Sequence, residues 1–266
     1  MKFSSSVSFN NCFAHRFSDL ISIHNYFAVN ITCSSACNLH KGSCTSKESF
    51  FIRIDNSDKR NFRKIKSFQD FANQVGYFVD IASDYKSDFV LLPELFTIQL
   101  LSQTGALSPQ DGMKRLASYT PRIVRMARGL AKRYGVTLIA GSLPVMETRR
   151  LYNVSFICLP DGTVLQQPKL HVTPNERRWW GITGGNALQV IETPKARIGV
   201  LICYDVEFPE LARQVSEAGA DILFVPSCTD DRQGFLRVRY CCHARAIENQ
   251  VYVAMTSTVG NLRVSG

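Results

Sequence analysis

Apolar residues recur at helical spacing early in the chain. Phe68, Phe71, Val75, Phe78, Val79 and Ala82 fall on one face of a helix. Ser67 supplies an N-cap and Asp70, three residues on, a capping-box partner, so that helix should start at Ser67. A second helix is expected to open at Thr120-Pro121, because proline suits the first helical position, and to end at Gly135. Residues 209–218 and 237–248 read as two more. Short apolar runs separate these segments: 88–92, 136–141, 196–202, 221–226 and 251–255 read as buried strands, and 51–54 as a shorter one. Residues 151–159 and 163–167 flank Asp161-Gly162, a hairpin turn pair. Helices alternating with buried strands predict an α/β protein whose sheets are covered by helices.

Residues 1–50 carry no such period. They are rich in Ser, Asn, Cys and His, and Arg16 is their one arginine, against the arginine-rich pattern of a mitochondrial transit peptide. They are expected to form a disordered N-terminal extension, with the folded domain over 51–266. Cys33, Cys37, His40 and Cys44 match no common zinc spacing closely, so no metal or other cofactor is expected.

Composition narrows the class. Apolar residues make up 45% and charged residues 20%, an ordinary globular balance. No apolar run reaches the roughly 18–20 residues that cross a bilayer, so no membrane partner is expected. The formal net charge is +9, but the basic residues are scattered and form no nucleic-acid module. A positive field favouring an anionic small substrate is compatible with that charge. Nine cysteines, an odd number set mostly in apolar text, point to a reducing compartment and a cytoplasmic location rather than a disulfide framework.

Three reactive side chains stand where strands end. Glu94 follows Leu91-Leu92-Pro93, Lys169 follows the 163–167 strand through Pro168, and Cys203 follows the 196–202 strand. Sites in α/β sheets form beyond such carboxyl ends. Taken singly, each has an ordinary structural explanation: a surface carboxylate, a solvated lysine, a buried thiol.

Together they carry a family resemblance. Leu91-Leu92-Pro93-Glu94-Leu95-Phe96, Lys169-Leu170-His171-Val172-Thr173-Pro174-Asn175-Glu176 and Leu201-Ile202-Cys203-Tyr204-Asp205-Val206-Glu207-Phe208-Pro209-Glu210 resemble the three signature blocks of the nitrilase (carbon–nitrogen hydrolase) superfamily, in the family's order. Ala244-Arg245-Ala246-Ile247-Glu248-Asn249 resembles a fourth block that packs behind the nucleophile, and the likeness runs from about residue 62 to 262. The resemblance implies a four-layer α-β-β-α sandwich with a Glu94-Lys169-Cys203 triad. In it Cys203 is the nucleophile, Glu94 the general base, and Lys169 with the backbone N–H of Tyr204 the oxyanion donors. Lys169 is also expected to lower the thiol pKa. Glu176 matches a second glutamate that orients substrate and lysine. Trp179 and Trp180 suit either a pocket mouth or plain packing, His171 shapes its loop, and Cys228, Cys241 and Cys242 are expected to pack.

The implied reaction is hydrolysis of a small amide or N-carbamoyl compound, with release of ammonia. Nitrile hydrolysis uses the same triad and stays open as an alternative. The family's pairing through helices near the nucleophile implies a homodimer. Further family strands would follow Asn261, so the second sheet is expected to be incomplete at its C-terminal end, and an inactive interaction protein is the competing class.

Overall fold

Strands buried along most of their length build two sheets that pack face to face. The computed structural model describes residues 27–31, 49–53, 65–105 and 107–258. The first sheet contains β1 (Phe27–Ile31), β2 (Ser49–Arg53), β3 (Phe89–Leu91), β4 (Thr137–Ile139), β5 (Leu143–Glu147), β6 (Arg150–Cys158), β7 (Val164–Pro168) and β8 (Ile182–Thr183). Its order is β2-β1-β3-β4-β6-β5, with β7 and β8 also paired to β6. The second contains β9 (Ile191–Glu192), β10 (Arg197–Val200), β11 (Ile222–Ser227) and β12 (Tyr252–Ser257) in the order β12-β11-β10-β9. In it β10, β11 and β12 run parallel.

Successive strand residues point to opposite faces. In the first sheet Val90, Leu92, Leu138 and Ala140 pack into one cluster with α1 (Phe68–Asp84) and α2 (Pro109–Tyr134). Phe89, Leu91 and Ile139 belong to the other cluster, with Ile198, Val200 and Phe224 of the second sheet. Phe89 and Phe224 meet across the sheets with ring centroids 5.2 Å apart, and each such buried aromatic contributes about 2–3 kcal/mol. On the far face of the second sheet lie α3 (Pro209–Glu217) and α4 (Arg232–Asn249). Gly199 lets α3 approach closely, since a Cβ there would stand 2.2 Å from Val215 Cγ1. The four α-β-β-α layers are those the resemblance implied.

The local signals behave as expected at α1, where Ser67 Oγ accepts the N–H of Asp70 at 3.1 Å. The Asp70 carboxylate accepts the N–H of Lys66 rather than that of Ser67. The second helix corrects its expected start: α2 begins at Pro109, capped by Ser108, and Pro121 lies inside it. An interior proline costs about 3 kcal/mol. Burial of Met113, Leu116, Ile123, Ala127 and Ala131 along one face offsets that cost, while Pro121 faces solvent. Gly135 ends α2 in the left-handed conformation, as expected. The fourth helix starts at Arg232, five residues earlier than the apolar pattern suggested, because Asp231 caps it through the N–H of Gly234. Strand β1 lies within the segment read as an extension. Cys33, Cys37, His40 and Cys44 lie outside the described residues. Among the described residues no helix is long and apolar enough to cross a membrane.

Candidate active site

The ends of β3, β7 and β10 converge on one buried cluster. Glu94 bridges to Ser142 just past β4, and the next N–H, of Leu95, reaches the carbonyl of Ser142 at 3.1 Å. Gly141 lets the two segments touch: its φ is +49°, and a Cβ there would lie 1.9 Å from the Pro93 carbonyl oxygen. Lys169 follows β7, and its N–H donates to the carbonyl of Asn153 on β6 at 2.8 Å. Cys203 follows β10 with φ +48°, a strained left-handed conformation for a side chain bearing a Cβ. It opens a 3-10 turn, Cys203–Glu207, that leads into α3.

Lys169 Nζ donates to Glu94 Oε1 at 2.8 Å and to both oxygens of Glu176, at 2.8 and 2.9 Å. Its side chain is 1% exposed. Glu176 opens a π-helical turn, Glu176–Trp180, and its Oε2 accepts the N–H of Thr173 at 2.9 Å. Glu94 lies near enough to the Cys203 thiol for its charge to act on it. The same thiol faces the carbonyl of Cys228 at 3.7 Å. The structure thus brings Glu94, Lys169, Glu176 and Cys203 together, with Tyr204 next in the turn.

Burial dominates the electrostatics. It pushes the Glu94 carboxyl up, against the pull of Lys169. Burial alone would lower Lys169, but Glu94 and Glu176 together hold it above its ordinary value. The Cys203 thiol is pushed well up, first by burial and then by the Glu94 charge, and Lys169 only partly opposes this. Lys169 does lower the thiol, as expected, but burial and the Glu94 charge outweigh it. An adjacent base that removes the proton during attack suits such a thiol better than a standing thiolate.

Two residues not singled out in the sequence hold this arrangement. Asn153, fully buried on β6, donates from Nδ2 to Glu94 Oε1 at 2.9 Å and to Glu176 Oε1 at 3.4 Å. The Asp205 carboxylate accepts the N–H groups of Ile202 (3.2 Å), Leu170 (3.2 Å) and His171 (2.7 Å), tying the Lys169 loop to the Cys203 turn. Both carry one signal a sequence reader can use, a polar side chain inside text that otherwise reads as buried. His171 stacks on Phe208 with centroids 3.7 Å apart and so shapes the loop, as expected. Behind the turn, Arg245 donates to the carbonyls of Val206 (3.0 Å) and Glu207 (3.3 Å) and to Glu248 (2.8 Å). Trp180 packs against the first core cluster, while Trp179 is 53% exposed. Cys242 is buried, and Cys241 packs against the same cluster, while Cys228 places its carbonyl at the thiol and accepts the Thr258 hydroxyl on its sulfur. Among the described residues no cluster of His, Cys, Asp and Glu is arranged to hold a metal.

Comparison with known proteins gives a consistent picture. The family profile described as carbon-nitrogen hydrolase matches residues 36–266. A Bacillus subtilis protein named "Probable hydrolase YhcX" is 50% identical over 200 residues, covering 75% of this chain and 39% of its own length. The chain therefore spans well under half of that relative. The omega-amidase NIT2 of Xenopus tropicalis is 32% identical, covering 69% of this chain and 67% of its own length. Among solved structures, Saccharomyces cerevisiae Nit3, a member of branch 10 of the nitrilase superfamily, superposes with a TM-score of 0.64 at 25% identity, over 78% of this chain and 75% of that one.

Proposed function

The chain belongs to the carbon–nitrogen hydrolase family, and from that premise we propose that it hydrolyses a small-molecule amide through a thioester on Cys203. The observation that carries this reading is the buried cluster in which Lys169 binds Glu94 at 2.8 Å and both charges act on the Cys203 thiol. As Sγ attacks the carbonyl carbon, Glu94 takes the thiol proton. The carbonyl oxygen gains the displaced electron pair, and the Lys169 ammonium and the Tyr204 N–H stabilise it. Lys169 has three N–H groups. One serves Glu94 and one is shared by the two Glu176 oxygens, which leaves the third for the oxyanion. Glu94 then returns its proton to the nitrogen, the C–N bond breaks and ammonia leaves. Water, losing a proton to Glu94, attacks the thioester. The acid departs, and the proton returns to Cys203.

The relative named omega-amidase puts terminal amides of small acids first among candidate substrates. Incubation with a panel of such amides, N-carbamoyl compounds and nitriles, with ammonia as readout, tests the reading. Turnover of amides that Cys203→Ala abolishes supports it; turnover of nitriles alone selects the alternative chemistry. Absence of ammonia from every substrate, with Cys203 inert to iodoacetamide, overturns it. A homodimer is part of this proposal. Tyr240 and Ile247, seven residues apart on α4, expose large apolar side chains on one helix face, and light scattering gives the mass.

A further inference from the structure

We propose that Asn153 is a positioning residue that orients the Glu94 carboxylate and holds it as a proton acceptor beside Cys203; this rests on the hydrolase reading above. Two carboxylates share a single ammonium in this cluster, so one negative charge is left over in a site shut off from water. Hydrogen-bond donors are what remain to stabilise it. Asn153 Nδ2 is such a donor, and it reaches Oε1 of both carboxylates. The backbone of the same residue accepts the N–H of Lys169. One strand position thereby sets base and lysine relative to each other.

The rest of the amide argues against a packing role. Asn153 Oδ1 is buried without a hydrogen-bond partner. Turning the amide over would satisfy nothing, because ionised carboxylates only accept. Both orientations leave half of the group unmatched, and an apolar side chain of similar size would avoid that penalty. An asparagine here makes sense through its N–H groups. The titratable groups facing Glu94 are Lys169 and Glu176 from the first-sheet side, and Cys203 and Cys228 from the second. Asp205 and Lys169 also act on each other by charge.

The test uses the pH dependence of iodoacetamide alkylation at Cys203, which needs no substrate. In the wild-type chain alkylation should fall on acidification as Glu94 takes up a proton, and Glu94→Gln should remove that limb. Asn153→Leu should move the limb up by about one pH unit. Asn153→Asp, nearly the same size but bringing a third carboxyl, should move it the same way or further. A folded Asn153→Leu whose limb coincides with wild type overturns the proposal and leaves the hydrolase reading standing. A wild-type profile with no limb that Glu94→Gln removes overturns Glu94 as the base, and the hydrolase reading with it. Failure of both Asn153 variants to fold, judged by circular dichroism, makes Asn153 a structural residue and also overturns the proposal.

Discussion

Replacing Gly141 by alanine should damage both the fold and the site, by amounts that follow from one contact. The new Cβ would lie 1.9 Å from the Pro93 carbonyl oxygen and 2.7 Å from its carbon. Non-bonded atoms settle near about 3.5 Å, so the Pro93-Glu94 peptide has to retreat by roughly 1 Å or more. The left-handed backbone at φ +49° adds about 1–2 kcal/mol for a residue bearing a Cβ. Overpacking of this kind costs about 1–3 kcal/mol. The sum is about 2–5 kcal/mol, or a melting temperature lower by about 5–15 °C for a domain of this size. The displaced peptide carries the proposed base, and a misplacement of about 1 Å can lower turnover about 100-fold. Thermal unfolding followed by fluorescence, with ammonia release measured well below the transition, reads both effects. Gly76→Ala on α1 is the control, since its Cβ meets nothing closer than Leu130 Cδ2 at 3.7 Å and helix propensity should gain up to about 1 kcal/mol. A Gly141→Ala chain with wild-type melting and turnover would refute the argument that this close approach positions Glu94.

Glu94→Gln should lower turnover at least about 100-fold. Burial raises the folded-state pKa of Glu94 above 4.5, so its contribution to stability is present below the unfolded value and lost as pH rises through the folded one. At neutral pH the neutral glutamine should therefore leave the melting temperature no lower than wild type, and a clear drop would contradict the sign. The wild-type rate itself should fall on acidification at a pH above the ordinary carboxylate value, read from a turnover profile. Asp205→Asn offers one acceptor oxygen where two now serve three N–H groups, so it should cost about 1–3 kcal/mol in chemical denaturation and slow Cys203 alkylation; equal stability and reactivity would refute Asp205 as the tie between the two loops. Arg245→Met strands the carbonyls of Val206 and Glu207 and should destabilise by about 2–4 kcal/mol, with loss of turnover traceable to the Cys203 turn.

Local chemistry made much of this molecule legible from its sequence. Ser67 with Asp70, Gly135 and the Asp161-Gly162 turn act within a few residues, so their effects are written where they occur. The strand ends carrying Glu94, Lys169 and Cys203 were legible for the same reason, and the motif resemblance joined them. Local rules failed where distant contacts overruled them. Pro121 reads as a helix start, yet burial along α2 carries the helix through it. The β5–β6 hairpin turns at Thr148-Arg149, both with positive φ (43° and 68°) and neither a usual turn former, so no turn signal marks it. Asn153 and Asp205 look like interruptions in apolar text, and only the folded chain shows which distant groups they hold. The direction in which the Cys203 thiol is shifted depends on tertiary structure. Proximity to a lysine argues for a thiolate, but ionisation depends on how far water is excluded, and that is a property of the closed site.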